Sequence, residues 1–201
     1  MNKLDTEKVL TFVKMLHDLQ AVKRVVHVPG EDRYENDLEH SYLLAMAVWY
    51  AIDTFELPLN KDKAIRYALA HDVPEVYAGD TYIFSKDEKA LSSKKERELE
   101  ARVKLRETFP TASSMHDAIE VYENQGDDEA VFVRALDKVM PLIAIYLQDG
   151  RTWKEAEVSY TQILENKRKS TALSPEVLAL AENIMALVDK DRKRYFGDRI
   201  D

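Results

Sequence analysis

Glycine occurs only five times and proline only six times in 201 residues, and this scarcity of turn formers constrains the fold more than any other feature. A sheet protein of this length would need a turn signal about every 8–12 residues. A chain so poor in both residues must run in long helices joined by few turns. The apolar residues follow the helical period. Val9, Leu10, Phe12, Val13, Leu16, Leu19 and Val22 form one stripe and predict a buried helix face over about residues 5–23. Residues 24–35 hold Pro29 and Gly30 and read as a loop. Asn36 and Glu39 form a capping box, which opens a helix running through Leu43, Leu44, Ala47, Val48 and Ala51 to about Phe55. Further helices are predicted over about residues 61–72, 88–109, 115–123 and 129–147. A short turn follows Pro74 and ends at Gly79-Asp80, and residues 80–87 read as a loop. Gly150 is a stop signal. A Thr152–Glu155 capping box opens a helix to about Lys169, and Ser174-Pro175 opens the last. The expectation is one all-α domain over residues 1–201: a bundle of about eight helices without a sheet, with a core over about 24–140 and C-terminal helices 152–195 packed on it.

A chain of this length is enough for one domain with a pocket. The hydrophobic fraction of 45% and charged fraction of 33% suit a globular protein. There is no cysteine, so disulfides are excluded and any metal must be held by His, Asp or Glu. The N-terminal MNKLDTEKVLTFVK lacks a secretory apolar core. The longest apolar run, Leu43 to Ile52, is too short to span a bilayer. These features read as a cytoplasmic protein with no membrane partner. The net charge of −8 argues against binding a nucleic acid polymer. A small phosphate ester remains compatible, provided a metal and one or two basic side chains gather positive charge locally.

His71 and Asp72 stand together at the end of the third predicted helix, in Leu69-Ala70-His71-Asp72-Val73-Pro74-Glu75. Neighbouring helical side chains diverge by about 100°, yet short ones can both reach a cation lying between them. His40 lies early in an otherwise apolar helix, as a hydrogen-bonded core histidine or as a ligand. Asp137 sits in the apolar run Val133-Arg134-Ala135-Leu136-Asp137-Lys138-Val139-Met140. A carboxylate buried there without a partner costs several kcal/mol. Arg134 or Lys138 can pair with it at helical spacing, and a metal ion would also compensate it. Glu75 and Asp80 place further carboxylates just beyond the His-Asp doublet.

Taken in order, His40, His71-Asp72 and Asp137 resemble the HD superfamily of metal-dependent phosphohydrolases. The stretches Glu39-His40-Ser41, His71-Asp72-Val73-Pro74-Glu75-Val76, Gly79-Asp80-Thr81 and Ala135-Leu136-Asp137-Lys138 resemble the YfbR-like 5′-deoxynucleotidases and related HD-domain proteins. The resemblance implies that His40, His71, Asp72 and Asp137 ligate one divalent ion. Mn²⁺, Co²⁺, Fe²⁺, Ni²⁺, Zn²⁺ and Mg²⁺ are the candidates, and imidazole–carboxylate ligation does not choose among them. His17, His27 and His116 belong to no second metal motif. The resemblance also implies that Glu75 and Asp80 are catalytic, and that Arg24 and Lys86 bind the substrate phosphate. The bacterial members carry an Arg-Trp pair where this chain has Arg24-Val25, and the loop to His40 is slightly longer here. The implied activity is release of phosphate from (deoxy)nucleoside 5′-monophosphates. Hydrolysis of another nucleotide (di-, tri- or cyclic phosphate) and a non-catalytic metal or nucleotide sensor are the alternatives. The resemblance, to a family that is often dimeric, leaves a homodimer open, with Trp153, Tyr160 and the last helix as candidate apolar surface or, equally, as core.

Overall fold

The computed structural model describes residues 4–85 and 87–197. Its elements run α1 (Thr6–Gln20), β1 (Lys23–His27), β2 (Tyr34–Asn36), α2 (Asp37–Thr54), α3 (Lys61–Ala70), α4 (Glu75–Ala78), α5 (Glu88–Thr108), α6 (Ser113–Asn124), α7 (Asp128–Tyr146), α8 (Arg151–Ala156), α9 (Tyr160–Thr171), α10 (Pro175–Asp189) and α11 (Arg192–Phe196). Eight of these helices have ten or more residues. The additional ones, α4, α8 and α11, are one-turn pieces of four to six residues.

α7 is the central strut. It buries Phe132, Val133, Leu136, Val139, Leu142 and Ile145 and packs against α2, α3, α6, α9 and α10. α2 and α3 lie together across it, with Leu44, Val48, Ala64 and Ala68 fully buried. The Asn36–Glu39 capping box is present in full, with both reciprocal bonds at 3.1 Å. Pro175 occupies the first turn of α10, where its missing N–H costs nothing. Pro141 lies inside α7. It cannot donate to the carbonyl four residues back, which is that of Asp137.

Three expectations are corrected. First, residues 24–35 are not a plain loop, and the domain is not free of sheet. Lys23–His27 and Tyr34–Asn36 pair as an antiparallel two-stranded ribbon, turned through Gly30 at φ +82°. Val25 and Val26 are β-branched residues suited to it, but runs of five and three residues are too short to show alternation. Second, the outer part of the α1 stripe is exposed. Met15 and Leu19 are its buried residues, while Val9, Leu10 and Val13 face outward, because α1 packs on α2 and α4 along only part of its length. Third, Thr152 and Glu155 do not open a long helix. α8 ends at Glu157, which is left-handed at φ +58°. The capping box that starts α9 is Ser159 with Gln162.

The ribbon is tied to the C-terminal part by side chains. His27 Nε2 is 3.0 Å from Glu155, Gln148 donates to the His27 carbonyl, and Arg151 reaches Asp32 at 2.6 Å. These bonds fix β1, and with it Arg24, against the mouth of the cavity described next.

Candidate metal centre and its cavity

α2 supplies His40 from its first turns, the end of α3 supplies His71 and Asp72, and α7 supplies Asp137 from its middle. His40 and Asp137 are 97 residues apart in sequence, yet His40 Nε2 lies 2.8 Å from Asp137 Oδ1. His71 Nε2 lies 3.1 Å from Asp72 Oδ1 and 3.7 Å from Asp137 Oδ1. One ligand atom of each of His40, His71 and Asp72 falls within 4.8 Å of the others. Donors around one octahedral ion with bonds of about 2.1 Å stand about 3 Å apart, so the spacing suits a single small cation.

The ring orientations test that fit. His71 Nδ1–H donates to the Ala68 carbonyl at 2.9 Å, which leaves the Nε2 lone pair aimed at two carboxylate oxygens. That nitrogen has no aligned hydrogen-bond partner and is buried. On His40, Nδ1 faces Glu35 Oε2 at 3.5 Å while Nε2 faces Asp137. In each ring the outer nitrogen is held by a carbonyl or carboxylate and the inner one points into the cluster, the arrangement that orients ligating imidazoles. Lone pairs converging on lone pairs require a positive charge between them. Without an ion, protons fill that role. Burial opposes the charged ring of His71, but Asp72 and Asp137 outweigh it and push it up to about 10. His40 is raised as well: burial and Arg24 oppose the rise, and Asp137 and Glu35 overcome them.

Negative charge dominates the surroundings. Glu35, Asp37, Asp72, Glu75, Asp80 and Asp137 all cluster here, and among the described residues Arg24 and Lys138 pair with four of them. Arg24 reaches Asp72 Oδ2 at 2.9 Å, Asp37 Oδ1 at 3.3 Å and Glu35 Oε2 at 3.5 Å. Asp137 Oδ2 accepts from Lys138 Nζ at 2.6 Å and from the Tyr122 hydroxyl at 3.2 Å. Burial would raise the Asp137 carboxyl, but Lys138 and the two histidines hold it well below the usual range. Asp37, fully buried, is pushed up to about 7 by burial and by Asp72, against the pull of Arg24. A divalent ion supplies the charge this cluster lacks.

His71, Asp72 and Asp137 line the floor of a cavity of about 380 Å³, within the size range of small-molecule sites, and His40 lies behind them on Asp137. Glu75 and Asp80 line the cavity. Glu75 Oε2 is buried without a hydrogen-bond partner. Burial, then Asp72, Asp80 and Asp37, push its carboxyl up to about 9. Arg24 and Val25 line the cavity as well. Lys86 lies outside the described residues. Arg97 of α5 clamps the segment that carries Asp80: it donates to the Ala78 carbonyl, to Thr81 Oγ1 at 2.8 Å and to the Ala90 carbonyl at 3.1 Å.

Sequence reasoning named Lys138 only as a helical-spacing partner for Asp137, and it does pair with it. It missed Glu35, Asp37 and Lys167. Glu35 and Asp37 flank the Asn36 cap, and two acids entering an apolar helix were a usable signal. Lys167 had none, because it is one basic residue in the polar stretch Glu165-Asn166-Lys167-Arg168-Lys169. Among the described residues no helix is long and apolar enough to cross a membrane.

The chain is similar to several known proteins. A mouse protein, 5′-deoxynucleotidase HDDC2, is 33% identical over 132 residues, covering 64% of this chain and 64% of its own length. Its Xenopus laevis counterpart is 33% identical over 135 residues, covering 66% and 65%. The chain thus spans just under two thirds of the length of these curated relatives. A solved structure from Magnetospirillum magnetotacticum, described as a predicted metal-dependent phosphohydrolase, superposes with a TM-score of 0.79 at 27% identity and 94% coverage of both chains. A conserved hypothetical protein from Pyrococcus furiosus, 16% identical with a TM-score of 0.57, shares the fold. The HD domain family matches over residues 16–178, which takes in every residue of the cluster, and the chain belongs to that family.

Proposed function

We propose that this protein is a metal-dependent phosphomonoesterase that releases phosphate from (deoxy)nucleoside 5′-monophosphates. The observation that carries the reading is the His71 imidazole, whose outer nitrogen is tied to a carbonyl and whose inner nitrogen faces two carboxylates on the floor of a cavity. The relatives named 5′-deoxynucleotidase support the choice of substrate. His40, His71, Asp72 and Asp137 would hold one divalent ion. When bound, that ion supplies Lewis acidity, polarising a phosphoryl oxygen and lowering the pKa of nearby water.

The chain's own groups do the rest. Arg24 is held by carboxylates at one wall and offers its guanidinium to a phosphate oxygen. Glu75 Oε2, buried and without a partner, exchanges a proton with the attacking water. The raised carboxyl of Glu75 owes part of its shift to neighbouring negative charge, so neutralising that charge returns it toward the basic form the water needs. Water oxygen then bonds to phosphorus, the ester bond breaks, and the leaving sugar oxygen takes the proton that Glu75 received from the water, with Asp80, also on the cavity lining, positioning that water. Val25 in place of a tryptophan leaves a smaller apolar contact beside Arg24, which belongs to base and sugar selectivity rather than to hydrolysis.

The test is a panel assay. Chelator-stripped protein is offered nucleoside mono-, di-, tri- and cyclic phosphates with Mn²⁺, Co²⁺, Mg²⁺ or Zn²⁺ added back. Phosphate release from 5′-monophosphates alone is the expected result. No turnover with any metal, beside tight nucleotide binding, would overturn the enzymatic reading in favour of a sensor.

A cytoplasmic location and a homodimer belong to the same proposal. Trp153 and Tyr160 do not supply the dimer surface. Trp153 is buried and stacks on Phe196 at 5.3 Å, and Tyr160 packs edge-on against the same ring. Support comes instead from α2, where Tyr42, Leu43, Met46, Trp49 and Tyr50 are exposed along one side. Sedimentation of wild type and of a Met46→Glu/Tyr50→Glu variant checks it, with a shift from dimer to monomer expected.

A further inference from the structure

Lys167 of α9 is only 9% exposed and lines the cavity that holds the metal cluster. Its ammonium uses one donor on the Lys138 carbonyl, at 2.5 Å. Among the described residues no carboxylate lies within ion-pair distance of it. Buried lysines are rare unless paired, and an ammonium left without a counter-charge in such a place is costly. A charged neighbour makes matters worse. Burial, and then the positive charge of Lys138, push the Lys167 ammonium down to about 8, against the weaker pull of Asp137. Lys138 lines the cavity too, with its own ammonium on Asp137 Oδ2. Arg134, one helical turn back on α7, lines it as well. The α7–α9 wall therefore gathers cations within a centre otherwise crowded with carboxylates, and one of those cations has no partner of opposite sign.

We propose that Lys167 and Lys138 form an anion subsite on this wall and that it takes a phosphoryl group of the substrate, an inference that rests on the phosphohydrolase reading above. The subsite is separate from Arg24, which comes from β1 and reaches Asp72, Asp37 and Glu35 rather than the α7–α9 wall. It serves either the phosphoryl group being cleaved or a second one on the same molecule. Both present the oxygens that a charge-assisted lysine contact recognises.

Inorganic phosphate is the probe, titrated into chelator-treated full-length protein and read by calorimetry and by thermal melting. Wild type should bind it, Lys167→Met should bind it about ten-fold or more weakly, and Lys167→Arg should retain most of the affinity. Without phosphate, Lys167→Met should melt no lower than wild type, since it removes an uncompensated charge at nearly constant length. Lys167→Gln carries the same test should the methionine variant not fold. Equal phosphate affinity in wild type and Lys167→Met, or no binding by metal-free wild type, overturns the proposal. Kinetics on the metal-loaded enzyme then separate the two sources. A raised KM for 5′-monophosphates with kcat little changed marks the cleaved group. An unchanged monophosphate KM, with weakened binding of 3′,5′-bisphosphates, marks a second one. Should no nucleotide be hydrolysed while phosphate binding still depends on Lys167, the proposed activity falls and the subsite stands.

Discussion

His71 shows how little a residue type says until its hydrogen bonds are known. Its Nδ1–H on the Ala68 carbonyl selects the tautomer with a free Nε2, and Glu35 plays the same part for His40. Removing a cluster carboxylate or imidazole should therefore abolish metal retention while the fold survives. Asp72→Ala and His40→Ala should lose the ion after dialysis, as measured by elemental analysis beside an unchanged far-ultraviolet dichroism spectrum. Glu75→Ala should do the opposite. It should retain the ion and lose about 10²–10⁴-fold in rate, the usual contribution of general acid–base catalysis; wild-type turnover in that variant would sink the assignment. The four cluster residues were legible in the sequence because their order and spacing matter and neither depends on packing. Glu35, Asp37 and Lys167 were not, because their significance lies in what they face across the cavity.

At the scale of elements, α7 combines two roles that usually conflict. It buries the largest share of the core and also carries Asp137, with Pro141 four residues on removing the hydrogen bond that would close the Asp137 turn. The helices of the bundle were legible because their apolar periods and caps are local. The two-stranded ribbon was not, since three residues of β2 acquire their pairing only from β1. The α8–α9 break was missed for a related reason: Glu157 takes a left-handed backbone without being glycine, so no residue type announced the stop. Gly150 was visible as a stop, but its reason is tertiary. It sits at φ +75°, and a Cβ there would collide with the Tyr195 carbonyl. Gly150→Ala should cost about 1–3 kcal/mol from overpacking alone, read as a lower denaturant midpoint. Arg97→Met should release the segment around Thr81 from its clamp, seen as faster amide exchange between residues 79 and 90 with α7 unchanged.

For the whole molecule, a cation at this centre acts as a clip between segments far apart in sequence. His40 and Asp137 close a 97-residue span, and the native state alone brings them together. An ion at about 100 times its dissociation constant adds about 2.7 kcal/mol to stability. In a chain of this size that is a rise in melting temperature of about 5–10 °C. Melting with and without a chelator checks it, and equal midpoints after verified removal of the ion would refute the coupling. The Arg97 clamp carries a consequence of another kind. The cluster residues sit on α2, α3 and α7, or directly at their ends, inside the packed core. Much of the outer cavity lining comes from residues 80–84 and α5, and Arg97 of α5 holds the two together through the Ala78 carbonyl and Thr81 Oγ1. The part that shapes the entrance is thus mechanically separable from the part that holds the ion. Exchange of residues 81–97 between homologues, with Asp80 kept, should transfer substrate preference as a cassette and leave the chemistry of the floor intact.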